Sequence, residues 1–248
     1  FAMAFYYNDD GSLEALPTVS LSNSEIVVRT RHFSNFFVSA INETLLKDTA
    51  IDTGYRPGVD DWSFLNYGSQ ASPDGFCLGA SVSAAYYYYE YKKVGAVSLR
   101  QYLDNNHGVS TPNMWFDDSI GIRLASTLQN EANFKGAYMD FLKNSVHKGE
   151  IISDDYLFMG FAYAMLVTGD PQIMGLYIRD DSSAKVTINS GHAIVAYRIG
   201  PEGIYVNDPN RIGETGLYVP FDGTDFGIYN SSTSVYTSTR NYNSFSLV

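Results

Sequence analysis

The sequence predicts an α+β domain: a short β-rich start, then a helical half, then an antiparallel sheet. Residues 1–38 alternate apolar and polar side chains with the period of strands. Between residues 76 and 168 the apolar positions recur at helical spacing in three stretches. From Ile173 onward the apolar runs are short, rich in Val, Ile and Tyr, and separated by Gly, Asn and Asp.

The elements follow in order. AMAFYYN leads to a turn at Asp9-Asp10-Gly11, LEALPTVSL to a turn at Ser22-Asn23, and EIVVRTRHFSNFFVS completes a β-rich segment over residues 1–45 that reads as a β-hairpin or the end of a sandwich domain. Residues 46–248 form the main domain. Residues 42–61 are a lead-in and 62–75 a loop, after which the first helix runs over 76–93 with no Gly or Pro beyond Gly79. A second helix spans 119–146 behind Asp117-Asp118, and a third 156–168 behind Ser153-Asp154-Asp155, where carboxylates cap free N–H groups. The strands are IMGLYI, KVTINS, HAIVAYRI, GIYVND, GLYVPF, FGIYN and SVYTS.

With 248 residues, 45% of them hydrophobic, the chain can bury a substantial core. Its 16 Lys and Arg stand against 27 Asp and Glu, a net charge of −11 with no basic stripe, which argues against nucleic acid as a partner. The longest apolar run, residues 157–167, is too short to cross a bilayer, so no membrane insertion is expected. One cysteine rules out an intrachain disulfide and a multi-cysteine zinc site. Twenty tyrosines with abundant Ser, Asn and Thr suit an exported or cell-surface bacterial protein, and a start at Phe1-Ala2-Met3 inside a strand-like run reads as a piece of a longer polypeptide.

That cysteine, Cys77, falls where a loop rich in turn residues becomes the first helix. Unpaired N–H groups and the positive end of the helix dipole stabilise an anion there and lower a thiol pKa. Downstream, HAIVAYRI and GIYVND flank Gly-Pro-Glu-Gly as a hairpin, with His192 opening its first strand and Asp208 closing its second. The outer ends of a hairpin meet, so a base and the carboxylate that orients it can approach one another. Cys77, His192 and Asp208 together have the layout of a cysteine hydrolase.

These residues resemble the papain-like fold and, within it, bacterial peptidases similar to the double-glycine (bacteriocin-processing) type and related bacterial surface cysteine proteases. Papain-like enzymes carry Cys on the first long helix and His on a strand, followed by Asn or Asp on the next strand; here His192 and Asp208 are 16 residues apart. The double-glycine type has Asp followed by Pro, matched by Asp208-Pro209, which favours Asp208 over its neighbour Asn207. Cys77-Leu78-Gly79 looks like the Cys-x-Gly start of the surface proteases, but lacks the Gly directly after Cys of the double-glycine type. The family's oxyanion glutamine lies six residues before Cys, whereas Gln70 lies seven before; Asn66 or a loop N–H is the fallback donor. The resemblance covers residues 60–248. It implies a two-lobed domain, a helical lobe then a β-sheet or barrel lobe, with a cleft between them. Cys77 is then the nucleophile, His192 base and acid, Asp208 the orienter and Gln70 the oxyanion donor, acting on a peptide or protein substrate with no metal or organic cofactor. Acyl transfer or isopeptide hydrolysis on the same triad, or a catalytically silent binding module, are the competing readings.

Other motifs carry less. Asn8-Asp9-Asp10-Gly11 has the residues of a hairpin turn without the ligand series of a calcium loop. Ser145-x-x-Lys148 and Ser182-x-x-Lys185 lack the companion motifs of serine acyl enzymes. Tyr86 to Tyr89 and Tyr91 go round a helix and read chiefly as packing, while His107 and His147 sit in polar, solvated settings. His32-Phe33-Ser34 matches the tripeptide cut by some self-cleaving sandwich domains, although strands of non-cleaving surface domains end alike.

Overall fold

A computed structural model of the chain describes residues 1–22, 24–28, 30, 35–102, 120–134, 153–180, 187–231 and 240–247. His32-Phe33-Ser34, His107, Asp117-Asp118, His147, both Ser-x-x-Lys motifs, SVYTS and the end of the second helix lie outside them. The described residues form a mixed α+β structure with antiparallel sheets.

The N-terminal segment gives β1 (Ala2–Tyr7), β2 (Leu13–Ala15), β3 (Thr18–Leu21), β4 (Ile26–Val28) and β5 (Phe36–Ala40). The turn at Asp9-Asp10-Gly11 joins β1 to β2 as expected, with Asp10 Oδ1 accepting from Ser12 N–H at 2.9 Å. Pro17 interrupts what reads as one strand in the sequence, and the pieces pair differently: β2-β1-β5 make one sheet and β3-β4 another. Two short helices fall in stretches without a clear period, α1 (Glu43–Lys47), capped by Asn42 Oδ1, and α3 (Leu99–Tyr102).

The long helices are α2 (Cys77–Tyr87), α4 (Ile120–Phe134) and α5 (Asp154–Thr168). Between β5 and α2 lies β6 (Ile51–Asp52), and α2 runs on as a π-helical turn over Tyr88–Lys92. Ser153 caps α5 through Tyr156 N–H, and Asp154 and Asp155 occupy its first turn, where the dipole favours them. Of the tyrosine run, Tyr87 and Tyr88 are buried, whereas Tyr86 and Tyr91 are exposed.

The main sheet holds β7 (Gln172–Asp180), β8 (Thr187–Gly200), β9 (Gly203–Asn207), β10 (Tyr218–Pro220) and β13 (Ser244–Leu247) in the order β10-β9-β8-β7-β13, with β6 pairing β8. The described part of KVTINS, from Thr187, and HAIVAYRI thus belong to one long strand, β8. The small pair β11 (Tyr229–Ser231) and β12 (Arg240–Tyr242) stands apart from that order. Ile194, Ala196, Ile204 and Val206 pack with α5 and with Met3 and Phe5 of β1, so the N-terminal segment shares the core of the sheet. Val195, Tyr197 and Tyr205 face the other way, against Tyr55 and Tyr88. Burial on both faces explains the unbroken apolar run AIVAY.

Gly79 is where α2 and α4 meet. A Cβ there would lie 1.8 Å from Ala125 O. The backbone approach leaves no room for a methyl group, so Gly79→Ala is expected to destabilise the fold by about 3 kcal/mol, read by chemical denaturation. A loss below about 0.5 kcal/mol would show that the two helices separate freely.

Candidate active site

Strand period determines which side chains meet. In the β8–β9 ladder Val195 is opposite Asn207, so the next step places Asp208 opposite Ile194, a neighbour of His192 on the same face. His192 Nε2 and Asp208 Oδ1 are 2.7 Å apart, both residues buried. Asn207 points to the opposite face, where its Nδ2 donates to Asp61 Oδ2 at 2.9 Å. Asp61 also accepts from Gly58 N–H, Gly213 N–H and the Arg100 guanidinium, the last at 2.7 Å. The two adjacent residues thus serve two separate networks.

Asp208 is wholly buried and saturated with donors. Oδ1 accepts from His192 and from Asn210 N–H at 2.8 Å; Oδ2 accepts from Ser231 Oγ at 2.7 Å and from Tyr229 Oη at 3.0 Å. Burial pushes this carboxyl up, but the imidazole charge and these donors prevail and hold it below its ordinary value. Burial likewise pushes His192 down, and Asp208 and Cys77 outweigh it, so the imidazolium persists well above the ordinary histidine range. Tyr242 stacks on the ring with centroids 5.8 Å apart.

Cys77 is the first residue of α2 and is partly exposed. Burial raises its thiol pKa, but a hydrogen bond and charge from His192, with the N–H groups of Ala193 and Leu78, bring it below the ordinary value. Since Nε2 belongs to Asp208, Nδ1 is the ring nitrogen left for sulfur. The helix start is held from three sides. Ser81 Oγ donates to Ala193 O at 3.1 Å, Trp62 Nε1 to Ser83 Oγ at 2.9 Å, and Gln129 Oε1 of α4 accepts from Leu78 and Gly79 N–H at 2.9 and 3.2 Å. Phe76 N–H donates to Asn66 Oδ1, which leaves the Cys77 N–H as the donor at the helix start that none of these acceptors takes.

Of the four residues singled out in the sequence, three come together: Cys77, His192 and Asp208. Gln70 is exposed in a turn closed by Ser69 N–H donating to Ser72 O, and the buried glutamine at the helix start is Gln129. Asn66, the fallback donor, has its amide engaged by Phe76 and Asn210. Tyr229, Ser231, Tyr242 and Gln129 escape sequence reasoning because they reach the site from distant segments with no fixed spacing, and Asn210, two residues after Asp208, because its role depends on where its amide reaches. Among the described residues no helix is long and apolar enough to cross a membrane, and no three His, Cys, Asp or Glu are grouped to hold a metal. Comparison with protein-family models, curated proteins and solved structures gives no match in any of the three.

Proposed function

We propose that the chain is a papain-like cysteine peptidase domain that hydrolyses peptide bonds of an exogenous peptide or protein, in keeping with a bacterial cell-surface or secreted protein. One observation carries the reading: a partly exposed thiol at a helix start, beside an imidazole that lowers its pKa and whose Nε2 is held by a buried carboxylate. Structural cysteines do not need such a partner.

The Cys77 thiolate attacks the scissile carbonyl carbon, forming a C–S bond as the carbonyl electrons move to oxygen. The Cys77 N–H stabilises that oxyanion. Collapse breaks the C–N bond, and the His192 imidazolium gives its proton to the leaving amine. His192, now neutral, deprotonates a water that attacks the thioester; the acid product leaves, and the thiolate–imidazolium pair is restored. Asp208 keeps the ring in one orientation throughout.

Incubation with an unstructured protein, followed by mass spectrometry of new termini, is expected to show cleavage that Cys77→Ala abolishes. Products identical with and without Cys77 would overturn the reading, and an absence of products would favour a silent module.

A further inference from the structure

The residue before the nucleophile is connected to the carboxylate behind the histidine by a chain of side-chain hydrogen bonds. Phe76 N–H donates to Asn66 Oδ1, and Asn66 Nδ2 donates to Asn210 Oδ1 at 3.1 Å. Asn210 Nδ2 donates to Ser231 Oγ at 3.0 Å, and Ser231 Oγ donates to Asp208 Oδ2 at 2.7 Å. Asn66 also donates its own N–H to Pro209 O at 3.1 Å. One asparagine therefore makes three hydrogen bonds, one to the residue before the nucleophile and two to the Pro209-Asn210 turn.

The direction of the chain is fixed by its first member. A backbone N–H can only donate, so Asn66 must turn its oxygen to Phe76 and its NH₂ to Asn210. Asn210 must then turn its oxygen back and its NH₂ onward to Ser231. Flipping either amide would set donor against donor. Gly75 leaves room for this arrangement: at φ +110° it adopts a conformation that favours glycine, and a Cβ would lie 2.9 Å from Asn66 Oδ1.

We propose that Asn66 is a positioning residue that sets the Cys77–His192 separation by clamping the nucleophile loop to the Asp208 turn, with Asn210 as its relay. The role rests on the cysteine-peptidase reading. Cys77 and His192 lie on separate elements, and a misplacement of about 1 Å between reacting groups can cost on the order of 10²-fold in rate. The contacts of Gln129 and Ser81 hold α2 from Leu78 onward, while the Asn66 bridge holds the backbone entering it at Phe76.

The test is the pH profile of Cys77 alkylation by iodoacetamide in the whole chain. Wild type, Asn66→Ala, Asn210→Ala, the double variant and His192→Ala are compared, with circular dichroism and thermal melts on each. The Asn66 and Asn210 substitutions are neutral and leave in place the titratable groups around the pair, Asp208, Tyr229, Tyr242 and Arg211. Asn66→Ala is expected to move the inflection toward the ordinary thiol value of about 8.5. Asn210→Ala should move it the same way, and serves if Asn66→Ala does not fold. The double variant should do no worse than the worse single one, because both cut the same chain. A low inflection unchanged in Asn66→Ala, or shifts that add in the double variant, would overturn the clamp alone. An ordinary inflection in wild type, indifferent to His192→Ala, would overturn the peptidase reading and the clamp with it.

Discussion

Asp208→Ala is expected to lower kcat/KM on an unstructured peptide by about 10²- to 10⁴-fold, while Asn207→Ala leaves it within about 10-fold. The contrast follows from the strand alternation that sends Asp208 to His192 and Asn207 to Asp61. Without the carboxylate the imidazolium loses its counter-charge, and the ring is free to take an unproductive tautomer. Position at a strand end suggests that both substitutions spare the fold, and the structure corrects that expectation. Asp208 is 0% exposed and satisfies four donors, so alanine strands His192, Asn210, Tyr229 and Ser231 at about 1–3 kcal/mol for each buried group left unpaired. Asp208→Asn is the gentler probe. Its amide oxygen can still accept from His192, and the Tyr229 and Ser231 hydroxyls can turn to accept from its nitrogen, so less stability is lost than with alanine, while the missing counter-charge still lowers the rate. Rates are compared on protein shown to be folded by circular dichroism. A silent Asp208→Ala beside a dead Asn207→Ala would reverse the assignment.

Cys77 should alkylate rapidly at pH values where ordinary thiols, with pKa about 8.5, are mostly protonated. His192→Ala should abolish that low-pH reactivity, because the imidazole supplies both the hydrogen bond and the charge that lower the thiol pKa. An unchanged profile would exclude the ion pair. The same shifts make stability depend on pH in a defined direction. The folded pKa of His192 is raised, so its stabilisation is complete below about 6.5 and is lost as pH rises through the elevated value. That of Asp208 is lowered, so its contribution is present above about 3.9 and lost as pH falls through the depressed value. Thermal stability should therefore form a plateau between those limits, and His192→Ala should remove the alkaline fall attributable to this group. Persistence of that entire limb in the variant would assign it to other residues.

The hairpin was readable in the sequence because strand signals are local: period, β-branched residues and the Gly-Pro-Glu-Gly turn all lie within one short stretch. The start of α2 was readable for the same reason. Less visible were α1 and α3, too short to establish a period, and β12 and β13, whose RNY and SFSL offer few apolar positions. In the site, Cys77, His192 and Asp208 announced themselves by residue type and order. Asn66, Asn210 and Gln129 did not, since an amide that bridges loops leaves no periodic trace, and Gln70 drew attention that its exposed position does not reinforce.

The two-sided duty of β9 governs which insertions and deletions this chain can absorb. Asn207 and Asp208 each face a buried carboxylate or imidazole partner across the sheet from the other. Deleting one residue of β9 without a compensating bulge would carry Asp208 into the place of Asn207, against Asp61, and Pro209 into the place of Asp208 beside the histidine, setting like charges together in a dry interior. The ladder already contains one irregularity, between Ala196 and Arg198, where β8 carries one residue more than β9. Chain-length changes in this hairpin are consequently tolerable only in steps that preserve parity, whereas the exposed segment around Glu214 to Gly216 carries no such arithmetic and is the place to graft a loop or a label.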